Sequence, residues 1–574
     1  MSGQSGISPV EQILRNVDLA GIQDERAREC IRLLLNLIET MTADLRKVQA
    51  ENLYLREQLN RRKGGGGKPD QPKDTTRAKS QSSEKERAET KQRTRRGKLE
   101  RVRIDREEVL KLDRASLPPD VQFKGYEDVV VQDLRIATDN VKFRKEKYYA
   151  PSTGQTYLAP LPAGYHGEFG PNLKSLCLLF SHLCNIVDTN RSGMPEHVAL
   201  PNMTEPKIAD LLDNFGIAIS SGQISAWLTG AYSGIQDEKR AIVDAGLASS
   251  PWQHMDDTGT RVDGENHHCQ ILCNPLYGAY FTTAHKDRLT IIDVLRNGRP
   301  RVFRINEEAL DLLRRFGVSK RVAEQVGQLP LHQDWSEEEL QRRLAEQIPD
   351  LSEGARHRMR EAAALAAYHA ESGHVRLLVC DDARQFKLVA DELALCWIHD
   401  GRHYQSMTPC VPQHREWLEV FRKGYWDFYK QLLVYRQDPA PERAPQLRAK
   451  FDELFSTVTG YDELDQRIAR TRADKTYLLM VLDHPEVPLH NNPAELDARI
   501  RVRKRVVSYG PRSLAGARTW DAMETLLSTA RKLGVNFFQY IRDRVSGARQ
   551  MPSLADLIKH RAQTMDLGSS WKPT

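Results

Sequence analysis

Three short β-forming runs, separated by turn residues, constrain the fold of this chain more than any other feature. They are Pro251–Val262, His268–Cys273 and Leu276–Thr282, and their spacing predicts a meander of antiparallel strands. The first run contains an acidic pair, Asp256 and Asp257, where a strand with one buried face would favour Val or Ile. These acids must therefore gain stability from something other than apolar packing.

Two later segments also present acids beside regular structure. The run Val375–Cys380 is mostly apolar, as is typical of a strand buried on both faces, and it stops at Asp381. Further along, Asn492 is a good helix N-cap, Pro493 would occupy the first helical position, and Glu495 would fall in the first turn.

Acids on a strand, at the end of a central strand and in a late helix are the parts of a two-metal phosphoryl-transfer site. In such sites carboxylates hold two Mg²⁺ ions about 3.5–4 Å apart, one activating the attacking oxygen and one stabilising the leaving oxygen. Each segment taken alone is more often structural, because acidic pairs are common at strand ends and Asn-Asn-Pro-x-Glu is an ordinary helix start.

Four motifs, in chain order, carry a resemblance to a known family. MDDTGTRV, LLVCDD, CWIHDGRHY and HNNPAELDARI resemble the transposases of the insertion sequence 66 family, and the similarity extends from about Leu55 to about Ser546. The resemblance implies a ribonuclease-H-like catalytic core whose Asp-Asp-Glu triad is Asp256, Asp381 and Glu495. Asp257 stands where the family usually has Glu, so we interpret it as secondary.

The resemblance further implies the reaction. The protein would bind the terminal inverted repeats of its element and cleave a DNA strand, with two Mg²⁺ ions that Mn²⁺ could replace. Water would free a 3′-hydroxyl, which would then attack target DNA without a covalent protein intermediate. Double-stranded DNA, both element ends and target, is the expected partner, together with possible accessory proteins of the element.

His399 and Arg402 match the histidine and arginine of the family's third motif. The strand predicted at Leu393–Ile398 would deliver both residues. His399 would lie beside the metals, against the scissile phosphate or a carboxylate, and Arg402 would contact DNA. A structural role for His399 is equally compatible with the sequence.

Basic residues follow Glu495 closely and also cluster far upstream. Arg499, Arg503 and Lys504 would reach substrate phosphates, although a solvated basic face is an equal alternative. Between residues 61 and 113 there are 18 Lys/Arg and 10 Asp/Glu, so 18 − 10 = +8 of charge lies there, against +6 for the whole chain. This segment, which includes Arg95 and Arg96, would bind DNA of any sequence or serve as a solvated linker.

A heptad pattern precedes the basic segment. Apolar residues and one Asn recur at a and d positions, which predicts a coiled coil, and the Asn favours a parallel dimer. The alternative is an amphipathic helix packed on its own domain. The pattern consists of Ile31, Leu34, Ile38, Met41, Leu45, Val48, Asn52, Leu55 and Leu59.

Two small modules are predicted between the basic segment and the acidic meander. The first is β-rich, with strands expected at Tyr126–Gln132 and Val141–Tyr149. The second, over 207–228, has helix–Gly turn–helix spacing and could present Gln223 to a major groove, although plain helical packing is about as probable.

The cysteines argue against a zinc site and a disulfide framework. The family often carries a four-cysteine zinc ribbon in the β-rich module, but this chain has no cysteine between Cys30 and Cys177, so no zinc is expected. Cys269 and Cys273 would lie on one face of an apolar strand, which favours core packing over zinc binding. The scattered cysteines, with no apolar stretch of about 20 residues and no signal-like N-terminus, predict a cytoplasmic, nucleoid-associated protein without a membrane partner.

These predictions amount to an α+β multidomain protein with a ribonuclease-H-like α/β core, two helical insertions, an N-terminal coiled coil and small β and helical DNA-binding modules. The predicted order is a flexible N-terminus (1–23), coiled-coil dimerisation helix (24–62), basic linker (63–113), β module (114–172), helix-turn-helix-like module (173–249), core (250–305), insertion (306–372), core (373–404), insertion (405–487), core helices (488–545) and tail (546–574).

Two other functions remain open from the sequence. The same core would suit a nuclease or resolvase that acts on branched DNA. A catalytically idle DNA-binding protein descended from a transposase would also retain these motifs.

Overall fold

The computed structural model describes residues 14, 17, 21–62, 104–112, 126–130, 138–165, 168–182 and 203–571. Its strands are β1 Lys147–Ala150, β2 Gln155–Leu158, β3 Trp252–Val262, β4 Glu265–Asn274, β5 Tyr277–Thr283, β6 Phe303–Arg304, β7 Asp334–Trp335, β8 Leu377–Cys380 and β9 Glu392–Leu395. Its α-helices begin with α1 Glu25–Arg62, α2 Pro171–His182, α3 Glu205–Asn214, α4 Ser221–Gly230, α5 Ile235–Ala248, α6 Arg288–Leu295, α7 Glu307–Arg315, α8 Lys320–Val326, α9 Glu337–Gln347 and α10 Glu353–His369. They continue with α11 Trp397–Ser406, α12 Pro412–Gln437, α13 Arg443–Leu454, α14 Asp462–Ala473, α15 Lys475–Leu478, α16 Asn492–Ser508, α17 Leu514–Lys532, α18 Phe537–Val545 and α19 Leu554–Ala562.

A mixed sheet of five strands organises the core, in the order β5-β4-β3-β8-β9. The predicted meander is confirmed, because β3, β4 and β5 pair antiparallel. The turn between β3 and β4 consists of Asp263 and Gly264, both with positive φ (50° and 80°), which is the geometry that a two-residue hairpin requires. Strands β8 and β9 then add in parallel to β3.

The strand register brings the first two acids to the same level. His254 of β3 pairs with Val379 of β8. Strand β8 ends one residue later, at Cys380, so Asp381 leaves the sheet beside Asp256. The parallel pairing therefore sets two acids that are distant in sequence next to each other.

Helices cover both faces of the sheet. On one face, α16 lies along β3 and β4, where Ala494 and Ala498 pack against Cys269, Ile271 and Cys273. The predicted core packing of the two strand thiols is confirmed, and both are free and buried. On the other face, α5 approaches so closely that a Cβ on Gly246 would lie 2.5 Å from the ring of Tyr277.

Both segments predicted as helical insertions are largely helical. The segment 306–372 contains α7 to α10 and also strand β7, which pairs with β6 and was not predicted. In the segment 405–487, the aromatic and aliphatic stripe of α12 is core, since Phe421, Tyr425, Phe428 and Leu432 are buried.

The predicted N-terminal helix is present, but its first half packs on its own chain. Asn36 donates to the Gly460 carbonyl at 2.9 Å and accepts from the Asp462 amide at 3.0 Å. Glu39 accepts from the amides of Cys410 and Val411 at 2.9 and 2.8 Å. This half therefore follows the alternative of an amphipathic helix packed on its own domain.

The second half of α1 leaves that surface. Arg46, which donates to the Thr408 carbonyl at 2.7 Å, makes the last of these contacts described along the helix. Five of the apolar side chains on the heptad positions are more than half exposed, whereas Ile31 and Ile38 are half-buried. The exposed five are Leu34, Met41, Leu45, Val48 and Leu55.

The two small modules differ in how well they match expectation. Helices α3 and α4 lie at the positions of the predicted helix–Gly turn–helix spacing, and Ser220 caps α4 by accepting from the amide of Gln223. Among its described residues the β module has one hairpin, β1 and β2, whose first strand begins inside the predicted Val141–Tyr149 strand. The strand expected at Tyr126–Gln132 is wrong where the structure describes it, because 126–130 have no regular structure.

No helix among the described residues is long and apolar enough to cross a bilayer.

A buried charge network joins α16 to α17 and to the sheet. Arg501 is fully buried and binds Asp521 at 2.5 Å and Glu524 at 2.7 Å, and it donates to the Thr282 hydroxyl at 3.0 Å. Lys504 lies 3.5 Å from Glu524 in the same network. Because these contacts tie α16 to two other elements, α17 and β5, they fix the rotation of α16 about its axis.

We expect Arg501→Met to destabilise the core by about 3–5 kcal/mol, because the change leaves two buried carboxylates without their guanidinium partner. The measurement is urea unfolding followed by tryptophan fluorescence. Trp520 lies beside the network, with its ring centroid 4.1 Å from Lys504 Nζ. Arg503→Ala, at an exposed position of the same helix, is the matched control and should change stability by less than about 0.5 kcal/mol. Equal effects of the two changes would contradict this account.

Candidate active site

Strand alternation separates the two acids of the first motif. His254 faces α16, where its Nδ1 donates to Asn491 Oδ1 at 3.0 Å, so Asp256, two residues on, faces the same way. Asp257 faces the other side of the sheet, where it accepts from Gln385 Nε2 at 2.9 Å and lies 3.4 Å from Lys286 Nζ. Asp256 is therefore the acid directed toward α16.

Asn491 fixes the start of the helix that carries Glu495. The predicted N-cap, Asn492, is wrong by one residue, because α16 begins at Asn492 and Asn491 is the cap. Asn491 does not cap with its side chain; instead its Nδ2 donates to the Met255 carbonyl at 2.8 Å. The Asn491 side chain thus bridges the helix start to β3, next to Asp256. Because Glu495 lies in the first turn of α16, it lies beside the same strand.

The negative charges of the other two predicted acids act on Asp256. Burial raises the pKa of Asp256 to about 7, and the negative charges of Asp381, Glu495 and Asp257 add to the rise, against a backbone hydrogen bond from Asp257 that lowers it. Burial also raises the pKa of Asp381, with Asp257 and Asp382 contributing and His399 opposing. Acids from segments about 125 and 114 residues apart in sequence therefore influence one another, and Asp256, Asp381 and Glu495 are called the acidic cluster below.

An arginine holds the third acid. Arg402 donates from both of its terminal nitrogens to the two oxygens of Glu495, each at 2.9 Å, and Arg499 lies 3.7 Å from the same carboxylate. Such a bidentate pair is among the stronger charge-assisted contacts. The sequence predicted Arg402 as a DNA contact and did not indicate this pairing.

The setting of His399 differs from the prediction. Strand β9 ends at Leu395, and His399 lies in the first turn of α11 rather than at a strand end. The sulfur of Cys396 accepts from the amides of both His399, at 3.4 Å, and Asn491, at 3.3 Å. One buried thiol therefore joins the starts of the helices that carry His399 and Glu495, and burial raises its pKa to about 11.

The remaining predicted DNA contacts divide into three groups. Arg499 and Arg503 are exposed, and Gln223 is half-buried at the start of α4. Lys504 has almost no surface, since it is buried beside Glu524 and His182, so its predicted contact with DNA does not fit its position. Arg95 and Arg96 lie outside the described residues.

The acids fit a hard divalent cation in their chemistry, because all the donors are carboxylate oxygens and their mutual repulsion favours positive charge. As the side chains stand, the described residues contain no group of three or more His, Cys, Asp or Glu that could hold an ion. Glu495 instead directs both oxygens at Arg402.

The fold and the site define an α+β protein with an acidic cluster assembled from a strand, the end of a neighbouring strand and a helix start. The chain belongs to the transposase IS66 family, whose model matches residues 355–519, a range that contains Asp381 and Glu495. It is 32% identical over 334 residues to the uncharacterized protein y4jO of Sinorhizobium fredii. The matched region covers 56% of this chain and 100% of that protein. No solved structure matches the chain.

We expect Asn491→Ala to lower the free energy of unfolding by about 1–3 kcal/mol, because it leaves the buried His254 and the Met255 carbonyl without partners. Burial lowers the pKa of His254 to about 3, so this ring is neutral and depends on hydrogen bonds rather than on charge. The measurement is thermal or urea unfolding. Asn492→Ala, a half-buried neighbour, is the control; equal losses in both variants would show that helix initiation matters rather than the bridge to β3.

Proposed function

We propose that this protein is a DNA transposase that binds the terminal inverted repeats of its element and catalyses strand cleavage and strand transfer. The observation that carries the proposal is the acidic cluster: the charges of Asp381 and Glu495 act on the half-buried carboxyl of Asp256. Membership of the IS66 family supports the same reaction class. A protein of this kind would act on DNA in the bacterial cytoplasm, with accessory proteins of its element as possible partners.

The core is proposed to be ribonuclease-H-like. Three antiparallel strands followed by two parallel strands, with acids on the central strand and at the end of its parallel neighbour, support this assignment. The carboxyl ends of adjacent parallel strands are a common position for active sites in such sheets.

Asp256, Asp381 and Glu495 are the proposed metal ligands. Two Mg²⁺ ions, or Mn²⁺ in their place, supply activation of the attacking oxygen and stabilisation of the leaving oxygen when bound. Asp257, on the opposite face, holds Gln385 and Lys286 rather than joining the triad. His399 lies close enough to Asp381 to affect its charge and is proposed to orient that carboxylate or the scissile phosphate.

The basic residues around Glu495 are proposed to position the DNA backbone. Arg402 presents the planar pair of donors that also suits a phosphate, so it can exchange one anion for the other. Arg499 and Arg503 lie one turn apart on the exposed side of α16 and extend the positive surface away from the acids. Gln223, at the start of α4, is the proposed contact with base edges, and Arg95 and Arg96 belong to the basic segment proposed to add sequence-independent affinity.

Self-association through the second half of α1 is also proposed, and it would hold two catalytic cores on the two ends of an element. The exposed residues Met41, Leu45, Val48 and Leu55 keep the alternating spacing of three and four that a coiled coil needs. The exposed Asn52 falls on the same seam and favours two parallel strands. Higher oligomers on DNA are compatible with this arrangement.

We expect Asp256→Asn, Asp381→Asn and Glu495→Gln each to reduce cleavage and strand transfer at least about 100-fold, because each replaces a proposed metal-ligating carboxylate with an uncharged amide. The measurement uses a labelled duplex carrying an element end, with Mg²⁺ or Mn²⁺. Binding of the same duplex in EDTA should be unchanged. Asp257→Asn is the matched control and should retain activity to within about tenfold.

The outcomes separate the rival functions. Full activity in the Asp256→Asn or Glu495→Gln variant would overturn the proposed catalytic role. Cleavage of branched DNA without any dependence on element ends would indicate a nuclease or resolvase. Binding without cleavage of any DNA by the wild-type protein would indicate a catalytically idle DNA-binding protein.

For the dimer, we expect the double change Leu45→Glu and Val48→Glu to raise the dissociation constant at least about 100-fold, because two charges per chain would be buried in the seam. Sedimentation velocity measures the change. The docked half of α1 should be unaffected, since Asn36 and Glu39 remain in place. Val458→Glu, at another exposed apolar position, is the control, and a monomeric wild-type protein would refute the proposal.

A further inference from the structure

Tyr509 is an aromatic residue presented to solvent immediately after the helix that carries Glu495. It is 85% exposed, and its backbone is left-handed, with φ 60° and ψ 7°. A left-handed helix C-cap is usually Gly or Asn, because a larger side chain is strained there. The ring makes little contribution to packing, so neither backbone preference nor burial accounts for a tyrosine at this position.

The turn that holds Tyr509 is tied to the β3–β4 hairpin. Gly510 has φ 100°, and a Cβ there would lie 2.5 Å from the Arg261 carbonyl oxygen. The Asp263 amide donates to the Pro511 carbonyl at 2.9 Å. Arg505, one turn earlier on α16, donates to the Gly259 carbonyl. The backbone of Tyr509 is therefore fixed on both sides while its ring remains free.

The exposed side of α16 connects this ring to the acids. Glu495 lies in the first turn, and Arg499, Arg503 and Val506 follow at spacings of three and four residues on the exposed side, up to Tyr509. Fourteen residues of helix span about 21 Å, which is a distance of several nucleotides. A DNA strand that ran along this side from Glu495 would contact the guanidinium groups of Arg499 and Arg503 before it reached the ring of Tyr509.

Charge near the ring favours a polyanion. Arg261, Arg503 and Arg512 are exposed around the turn, and the acids nearby are Asp263 and Glu265 of the hairpin. With Arg505, the local balance is four arginines against two acids. A phosphate backbone is attracted to such a surface, and its affinity falls with salt.

We propose that Tyr509 stacks on an unpaired base of the DNA strand that Arg499 and Arg503 lead away from the acidic cluster. In duplex DNA the base faces are covered by their neighbours, so a protruding ring can reach one only where a base is unpaired or unstacked. Tyr509 is thereby a substrate-binding residue that prefers frayed or single-stranded DNA beside the cleavage position. This inference rests on the proposed function as a DNA-processing enzyme.

The test is binding in EDTA of two labelled DNAs, a blunt duplex and the same duplex with a single-stranded extension that contains 2-aminopurine. Tyr509→Ala should weaken binding to the extended DNA about 5- to 150-fold and abolish the quenching of 2-aminopurine, with less than a threefold effect on the blunt duplex. Tyr509→Phe should bind like the wild type, because the ring is retained. Leu514→Ala, a nearby exposed apolar position, is the control.

Tyr509→Asn separates the ring from the backbone, since Asn tolerates the left-handed conformation. It should lose binding as Tyr509→Ala does; wild-type affinity in this variant would overturn the proposal, as would equal affinity of Tyr509→Ala and the wild type for the extended DNA. The assay needs no catalysis and can be repeated in the Asp256→Asn background. A failure of base stacking is therefore distinguishable from a failure of the proposed transposase activity.

Discussion

The candidate site depends on how firmly α16 is held against the sheet. Asn491 bridges the start of the helix to β3, Arg501 anchors its middle through two buried carboxylates, and the turn at Gly510 fixes its end to the hairpin. The first two of these contacts are polar and buried, so each costs free energy to break and is specific in direction. They leave the helix one orientation, and in that orientation Glu495 comes to lie beside Asp256.

The acidic cluster is costly to the protein that contains it. Burial and like charge both raise the pKa of Asp256, so the folded chain disfavours the ionised carboxylate that an unfolded chain would carry at neutral pH. Arg402 offsets part of this cost by pairing with Glu495. A site that is strained by its own charge and relieved by a cation or by a basic side chain is typical of phosphoryl-transfer enzymes.

Much of the core could be predicted from local patterns, whereas the orientation of charged side chains could not. Turn residues and the alternation of apolar residues were enough to predict the β3–β5 meander. The choice of Asp256 over Asp257 as the catalytic candidate depended on the family motif alone. The many basic residues of α16 did not indicate which of its side chains are buried. Arg501 and Lys504 lie on the sheet-facing side of the helix, where the buried Ala494 and Ala498 also lie. That spacing of small residues was the available signal. The boundary errors at Asn491 and His399 arise because tertiary contacts with β3 and Cys396 decide where those helices start.

Cys396 has a consequence for the conditions under which the site can exist. Its sulfur receives two backbone amides, from His399 and Asn491, and these amides begin the helices on either side of the acidic cluster. Addition of oxygen atoms to this sulfur would enlarge it and push the two helices apart. The high pKa of the thiol keeps it protonated and therefore slow to react with peroxide. The geometry is thus protected against oxidative damage by the same burial that creates it.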